Sequence, residues 1–266
     1  VNLIAILLTG CLLASLLMVL MFAIQRLVGD AGVVDVAWSL GVAGVVIWYS
    51  AVVDAAASRG WLVVAVVVLW GIRLSLHVLV RFLTMKPDAR YEKLMEEWGD
   101  QAQWKMFRFY QMQGIGIVLF SLPPLISILN PNPLNWLDYL AVSIAVVGIC
   151  GESLADWQLT RFRKKTENKG KVFRSGLWHY SRHPNYFFEW LYWWSFVAFS
   201  LTWVPWGLLT LMGPFFMWYF LTRVTGIPHT ESQSIRSRGD AYREYQKTTN
   251  AFFPWFPKAA QDGKVR

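Results

Sequence analysis

Long apolar runs recur through this chain, near residues 3–24, 33–53, 61–82, 114–130, 136–156, 185–204 and 205–225. Each approaches the about 20 residues that a helix needs to cross the hydrocarbon of a bilayer. Only a helix or a closed barrel satisfies its own backbone there, and runs this long and continuous point to helices. The fold expected is therefore all-α, a polytopic membrane protein with seven transmembrane helices. The whole of 1–266 reads as a single membrane-embedded helical domain, with no internal repeat or low-complexity linker. The first run lacks the basic flank and small-residue cleavage site of a signal peptide, so it reads as a retained span. Pro205 and Pro214 interrupt the last two runs.

Composition agrees with this reading. Charged residues make up 16% of the chain, against about 25% in soluble domains. Sixteen tryptophans suit the membrane–water interface better than a soluble core. The net charge of +8 is distributed unevenly. Lys86, Arg90, Lys93, Lys105 and Arg108 lie in 83–112, and a run from Arg161 to Arg182 lies in 157–184. The tail carries more, from Arg236 through Lys264 and Arg266. The alternate connections hold only Arg59. Excess Lys and Arg mark cytoplasmic loops, which predicts an outside N-terminus and a cytoplasmic C-terminus. A bacterial chain of this kind would sit in the inner, or plasma, membrane. Nucleic-acid binding is not expected, because no soluble domain remains to carry it.

Chemistry is sought where ionisable groups fall inside spans, since placing one there costs at least about 2.5–3.5 kcal/mol. These are Asp35, Arg73, His77, Glu152, Asp156 and Glu189. Arg73 and His77 share a helix face, as do Glu152 and Asp156, because residues four apart are neighbours. Asp35 and Arg73 could equally form an interhelical ion pair that only fixes packing. The segment GLWHYSRHPNYFFE (176–189) places a polar, aromatic loop before the sixth span, with Pro184 suited to its first turn. His179 and His183 lack further ligands at suitable spacing, so no metal site is expected. Cys11 and Cys150 both lie within spans and form no disulfide framework. Gly114-Ile115-Gly116 follows no strand and is no dinucleotide fingerprint. The tail His229–Lys247 has a helical period, with Ile235, Tyr242 and Tyr245 among arginines, and reads as a surface helix or a lid. AFFPWFP (251–257) reads as an aromatic plug.

ADWQLTRFRKK (155–165), GLWHYSRHPNYFFEWLYWW (176–194) and the tail pattern Glu231-x10-Tyr242-x2-Tyr245-x5-AFFPWFP together resemble the steroid 5-alpha-reductase and sterol-reductase superfamily. They are most similar to its bacterial branch of membrane proteins with a 5-alpha-reductase-like C-terminal domain. The resemblance covers about 145–257 well, and 30–95 only loosely through VDVAWS, GIRLSLH and ARY. It implies a seven-helix bundle open to the cytoplasm, with NADPH as cofactor. The family's cofactor positions fall on Glu152, Asp156, Arg161 and Arg163, then on Asn185, Tyr186 and Glu189, and in the tail on Glu231, Tyr242 and Tyr245. Arginines suit the phosphates, and carboxylates with an amide suit ribose hydroxyls or the carboxamide.

Typical members carry a Gln-Glu pair in the second span and a catalytic Tyr in the third, where this chain has Asp35 and Arg73. Asp35, Arg73 and Tyr91 are then the candidates for binding and protonating a substrate carbonyl. The function expected is an NADPH-dependent membrane reductase acting on an activated C=C bond of a steroid, isoprenoid or acyl lipid. Its partners would be that hydrophobic substrate and the membrane lipids, with no obligate protein partner. RHPNY also resembles the RHP-x-Y element of isoprenylcysteine carboxyl methyltransferases, which use S-adenosylmethionine. A non-enzymatic lipid-binding protein is the remaining alternative.

Overall fold

The computed structural model describes residues 2–53, 57–84 and 89–258. Among them the secondary structure is helical, with no strand. Helices α1 (Leu3–Val28), α2 (Val33–Val52) and α3 (Ala57–Thr84) come first, followed by α4 (Ala89–Trp98) and α5 (Ala102–Leu129). Then come α6 (Trp136–Arg163), a one-turn α7 (Leu177–Tyr180), α8 (Pro184–Ser200), α9 (Met212–Tyr219), α10 (Ile227–Arg238) and α11 (Asp240–Thr248). Five stretches are long and apolar enough to cross a membrane: Leu3–Val28, Val33–Val52, Ser58–Thr84, Tyr91–Leu129 and Trp136–Arg163. Lys86, Lys264 and Arg266 lie outside the described residues, as does the side chain of Arg90.

Helix boundaries depart from the apolar runs in one consistent way. The fourth run begins at 114, yet α5 begins at Ala102; the fifth run ends at 156, yet α6 continues to Arg163. Backbone hydrogen bonding does not stop where hydropathy falls, so a helix can carry Lys105, Arg108, Arg161 and Arg163 beyond the apolar layer. The last two runs differ more. The sixth is a helix of 17 residues. The seventh is a 3₁₀ turn over Trp206–Leu211, then α9, then a π-wound Phe220–Val224. Pro214 lacks an N–H and is best suited to the first turn of an α-helix, which is where it lies in α9.

By internal contacts the chain divides into two compact units that share α6 and α8. The first unit holds Val1–Val142 and Phe196–Thr210. In it α2 and α3 lie antiparallel, with the Ser75 hydroxyl donating to the Val36 carbonyl at 2.8 Å and that of Ser39 to the Gly71 carbonyl at 3.2 Å. A Cβ on Gly71 would meet the Ser39 carbonyl at 3.0 Å, so glycine permits this approach. Arg59, 1% exposed, clamps α3 to the connection before α6. Its Nε and Nη2 bind the two Asp138 oxygens at 2.7 and 3.1 Å. Its remaining donors reach the carbonyls of Asn130, Asn132 and Pro133 at 2.8, 2.7 and 3.1 Å.

The second unit holds Ser143–Ser195 and Leu211–Arg266. Here α6 and α8 meet through glycines. A Cβ on Gly148 would lie 2.9 Å from the Tyr192 Cβ and 3.0 Å from the Phe188 carbonyl oxygen, and one on Gly151 would strike the Phe188 ring. Residues 148, 151, 152, 155 and 156 share one face at helical spacing. Close approach at the two glycines therefore presses Glu152 and Asp156 against α8.

Candidate functional site

The second unit gathers most of the residues that the sequence nominates for a cofactor. Glu152, Asp156 and Glu189 are all buried. Pro184 opens α8, which sets Asn185 in the first turn beside Asp156. The Asn185 amide donates to Asp156 Oδ1 at 3.1 Å, while Asn185 Oδ1, also buried, accepts no hydrogen bond within the protein. One turn further, Trp193 donates its indole N–H to Glu189 Oε1 at 2.9 Å. Fully buried Tyr192 lies within electrostatic reach of both Glu189 and Glu152. The buried Asn185 oxygen is open to a donor from outside the protein, and an amide, a hydroxyl or an ammonium would supply it.

The two arginines of α6 separate. At about 100° per residue, Arg163 returns to within about 20° of Asp156, whereas Arg161 points about 140° away. Arg161 is exposed, and its guanidinium lies 5.2 Å from the centroid of the Trp157 ring. Arg163 is the arginine that shares the face of the acidic cluster.

The tail folds back onto the loop before α8, within the same unit. The single helix expected over 229–247 is instead α10 and α11, parted at Gly239 with φ +55°. Glu231 lies at the centre of this junction. Its Oε1 accepts from Arg182 Nε at 2.7 Å and pairs with His183 Nε2 at 3.3 Å, and its Oε2 accepts from Gln246 at 2.8 Å. The Tyr242 hydroxyl points at the same carboxylate at 3.5 Å. Tyr245 donates to the carbonyls of Trp178 and Ser181, and Tyr186 stacks on His183 with centroids 5.3 Å apart. Glu231, Tyr242 and Tyr245 thus hold the tail to the loop in this structure. Phe252 of the AFFPWFP block packs on Phe187 and Trp190 of α8, so that block does plug against a helix.

Burial would raise the Glu231 carboxyl. The hydrogen bonds from His183, Arg182 and Gln246, with the Arg182 charge, outweigh it and hold the group at about 2 against an ordinary 4.5. Burial is the largest influence on His183 and lowers it below its ordinary 6.5, against the opposing pull of Glu231. Both shifts act in one direction. Below its ordinary value, His183 in the unfolded chain takes up a proton that the folded chain refuses. The contribution of Glu231 is complete above about 4.5 and is lost as pH falls towards about 2. The melting temperature of the purified chain should therefore fall continuously on acidification from about pH 6.5. A melting temperature unchanged between about pH 7 and pH 4 would contradict this account.

The first unit holds the other three nominated residues. Asp35 stands in the first turn of α2, where the helix dipole favours a carboxylate. The Tyr91 hydroxyl, carried by α4, donates to Asp35 Oδ1 at 2.8 Å, and the residue is buried. Arg73 lies on α3 between Gly71 and Ser75 in sequence, about one turn from the level of Asp35 and about 180° around the helix from the two contacts with α2. Sequence reasoning passed over two groups. Tyr110, in what reads as a loop, is a fully buried residue of α5 that donates to the Ala31 carbonyl at 2.9 Å. Arg182 was counted only among the loop cations. The continuing helical period upstream of 114 would have revealed the first. No local signal marks the second.

A family profile described as "Protein of unknown function (DUF1295)" matches residues 21–249. The chain belongs to that family, and the match takes in both groups of nominated residues. Comparison with curated proteins and with solved structures finds no match.

Proposed function

We propose that this DUF1295 protein is an NADPH-dependent membrane reductase of a lipid-soluble substrate, probing its cofactor with the Asp156–Asn185 cluster. The observation that carries the reading is the buried Asn185 oxygen with no donor from the protein, its amide held by buried Asp156 on helices that also bury Glu152 and Glu189. A carboxamide or a ribose hydroxyl supplies the donor that this oxygen lacks. Arg163, on the same helix face, suits the 2′-phosphate. The resemblance of 145–257 to the 5-alpha-reductase superfamily supports the same assignment. The cofactor supplies hydride. Within the second unit the chain's part is to orient the carboxamide through Asn185 and Asp156; in the first unit, Tyr91 bonded to Asp35, and Arg73, are the candidates for protonating and binding a substrate carbonyl.

The proposal includes seven crossings, counting α8 and the composite segment 206–224, with the N-terminus outside and the C-terminus in the cytoplasm. Burial of Arg59 in its pair with Asp138 supports that orientation, because it neutralises the one cation of the alternate connections.

An S-adenosylmethionine-dependent methyltransferase is the second reading. The acidic character of the cluster favours it to this extent, that the ligand is cationic. One preparation distinguishes the two. Mass spectrometry of a denatured extract of purified protein should find NADPH, and Arg163→Ala should weaken NADPH binding about tenfold while changing NADH binding little. S-adenosylmethionine in the extract, or equal losses for the two dinucleotides, would refute the reductase reading.

A further inference from the structure

The face of α6 that points away from the acidic cluster has its own chemistry. Val146, Val147, Cys150 and Leu154 are exposed along it, and at about 100° per residue they fall within one arc that continues through Trp157 and Arg161, with Lys165 two residues beyond the end of α6. An exposed apolar flank on a helix of membrane-spanning length faces acyl chains. Trp157, 54% exposed, follows the last aliphatic residue, as an interfacial indole does. Arg161 comes one turn later, and Lys165 just past the end of the helix.

At that level the chain folds back to form a cleft. The Asn168 amide donates to the Phe162 carbonyl at 2.9 Å, and Phe173 packs on Phe162 with centroids 4.8 Å apart. Leu177 N–H donates to Gln158 Oε1 at 3.0 Å, which closes the far wall. The space left has a volume of about 330 Å³ and is lined by Trp157, Arg161, Lys165, Asn168 and Ser175 among others. No acidic side chain lines it. It therefore offers an anion the Arg161 guanidinium, an amide and a hydroxyl, together with the Lys165 ammonium, which an anion would draw from its exposed pair with Glu167 at 3.6 Å.

We propose that this cleft is a specific site for an anionic phospholipid. The phosphodiester sits between Arg161 and Lys165, the glycerol end meets Asn168 and Ser175, and an acyl chain runs down α6 past Trp157 and Leu154. A free phosphate or nucleotide would use the same cations but would gain nothing from the apolar flank. Continuity of flank and cleft on one helix face selects the lipid. The site is separate from the cofactor cluster, which occupies the opposite face, and does not depend on the reductase assignment.

Native mass spectrometry of the detergent-purified full chain, offered phosphatidylglycerol and phosphatidylcholine in equal amounts, tests this. The wild type should retain phosphatidylglycerol preferentially. The double variant Arg161→Gln/Lys165→Gln should lose about tenfold of that preference, as expected for two basic groups near a membrane surface. Both side chains are exposed, so its melting temperature without lipid should match the wild type. Trp157→Ala should weaken retention of both lipids. Equal preference in the wild type and the double variant would overturn the site, and so would retention indifferent to Trp157→Ala. Displacement of phosphatidylglycerol by inorganic phosphate at comparable concentration would overturn the lipid assignment in favour of a soluble anion.

Discussion

Arg59→Ala should destabilise the first unit by about 3–5 kcal/mol, the usual consequence of breaking a buried ion pair by removing one partner. Asp138 would be left as a buried carboxylate without its guanidinium, and the carbonyls of Asn130, Asn132 and Pro133 would lose their donors. Thermal unfolding in detergent measures the loss. Arg59→Met combined with Asp138→Leu should recover part of it, because a buried pair replaced by apolar side chains is often neutral or better. Recovery should be incomplete, since the three carbonyls still lack partners. A single variant that loses less than about 1 kcal/mol would show that water reaches the clamp and solvates both charges.

Asn185→Leu should remove bound NADPH while leaving the fold largely intact. The substitution keeps roughly the same volume but deletes the donor to Asp156 Oδ1 and the buried oxygen that has no internal partner. Leaving Asp156 short of one donor costs at most about 1–3 kcal/mol, which thermal unfolding would register as a modest shift. Retained NADPH, quantified in the same preparation, should fall by at least about tenfold. Were Asn185 instead only a structural link between α6 and α8, melting temperature would drop and cofactor retention would follow it in proportion. Full retention and turnover would take Asn185 out of the site.

These two variants show how unevenly the molecule can be read from its residues. The first three apolar runs coincide with α1, α2 and α3 to within a few residues, because hydrocarbon thickness fixes both. The start of α5 and the end of α6 were hidden, since helical hydrogen bonding continues through polar residues that a hydropathy scan discards. That error also obscured the difference between Arg161 and Arg163. Once α6 is known to reach Arg163, simple periodicity puts the two on different faces. Glu152 and Asp156 were legible as a pair from their spacing alone. The bonds from Tyr91 to Asp35 and from Arg182 to Glu231 were not, because they join residues 56 and 49 positions apart. No periodicity reaches across such a distance, and only packing selects the partner. Proline chemistry predicted where α8 begins, but the mixed winding of 206–224 depends on how Pro214 and its neighbours share one short segment.

The span between Arg182 and Glu231 also has a temporal meaning. Ribosomes add about 5–20 residues per second, so the guanidinium of Arg182 exists for roughly 3–10 seconds before its carboxylate partner is made. All of α8, α9 and the segments between them are synthesised in that interval. The loop before α8 must therefore persist through the synthesis of α8 and α9 with its cation still solvated. Closure against α10 and α11 can only come afterwards. Maturation of this part of the chain is thus a late event, and a ribosome stalled before residue 231 would hold a nascent chain whose loop is open to protease, whereas release of the finished chain would protect it.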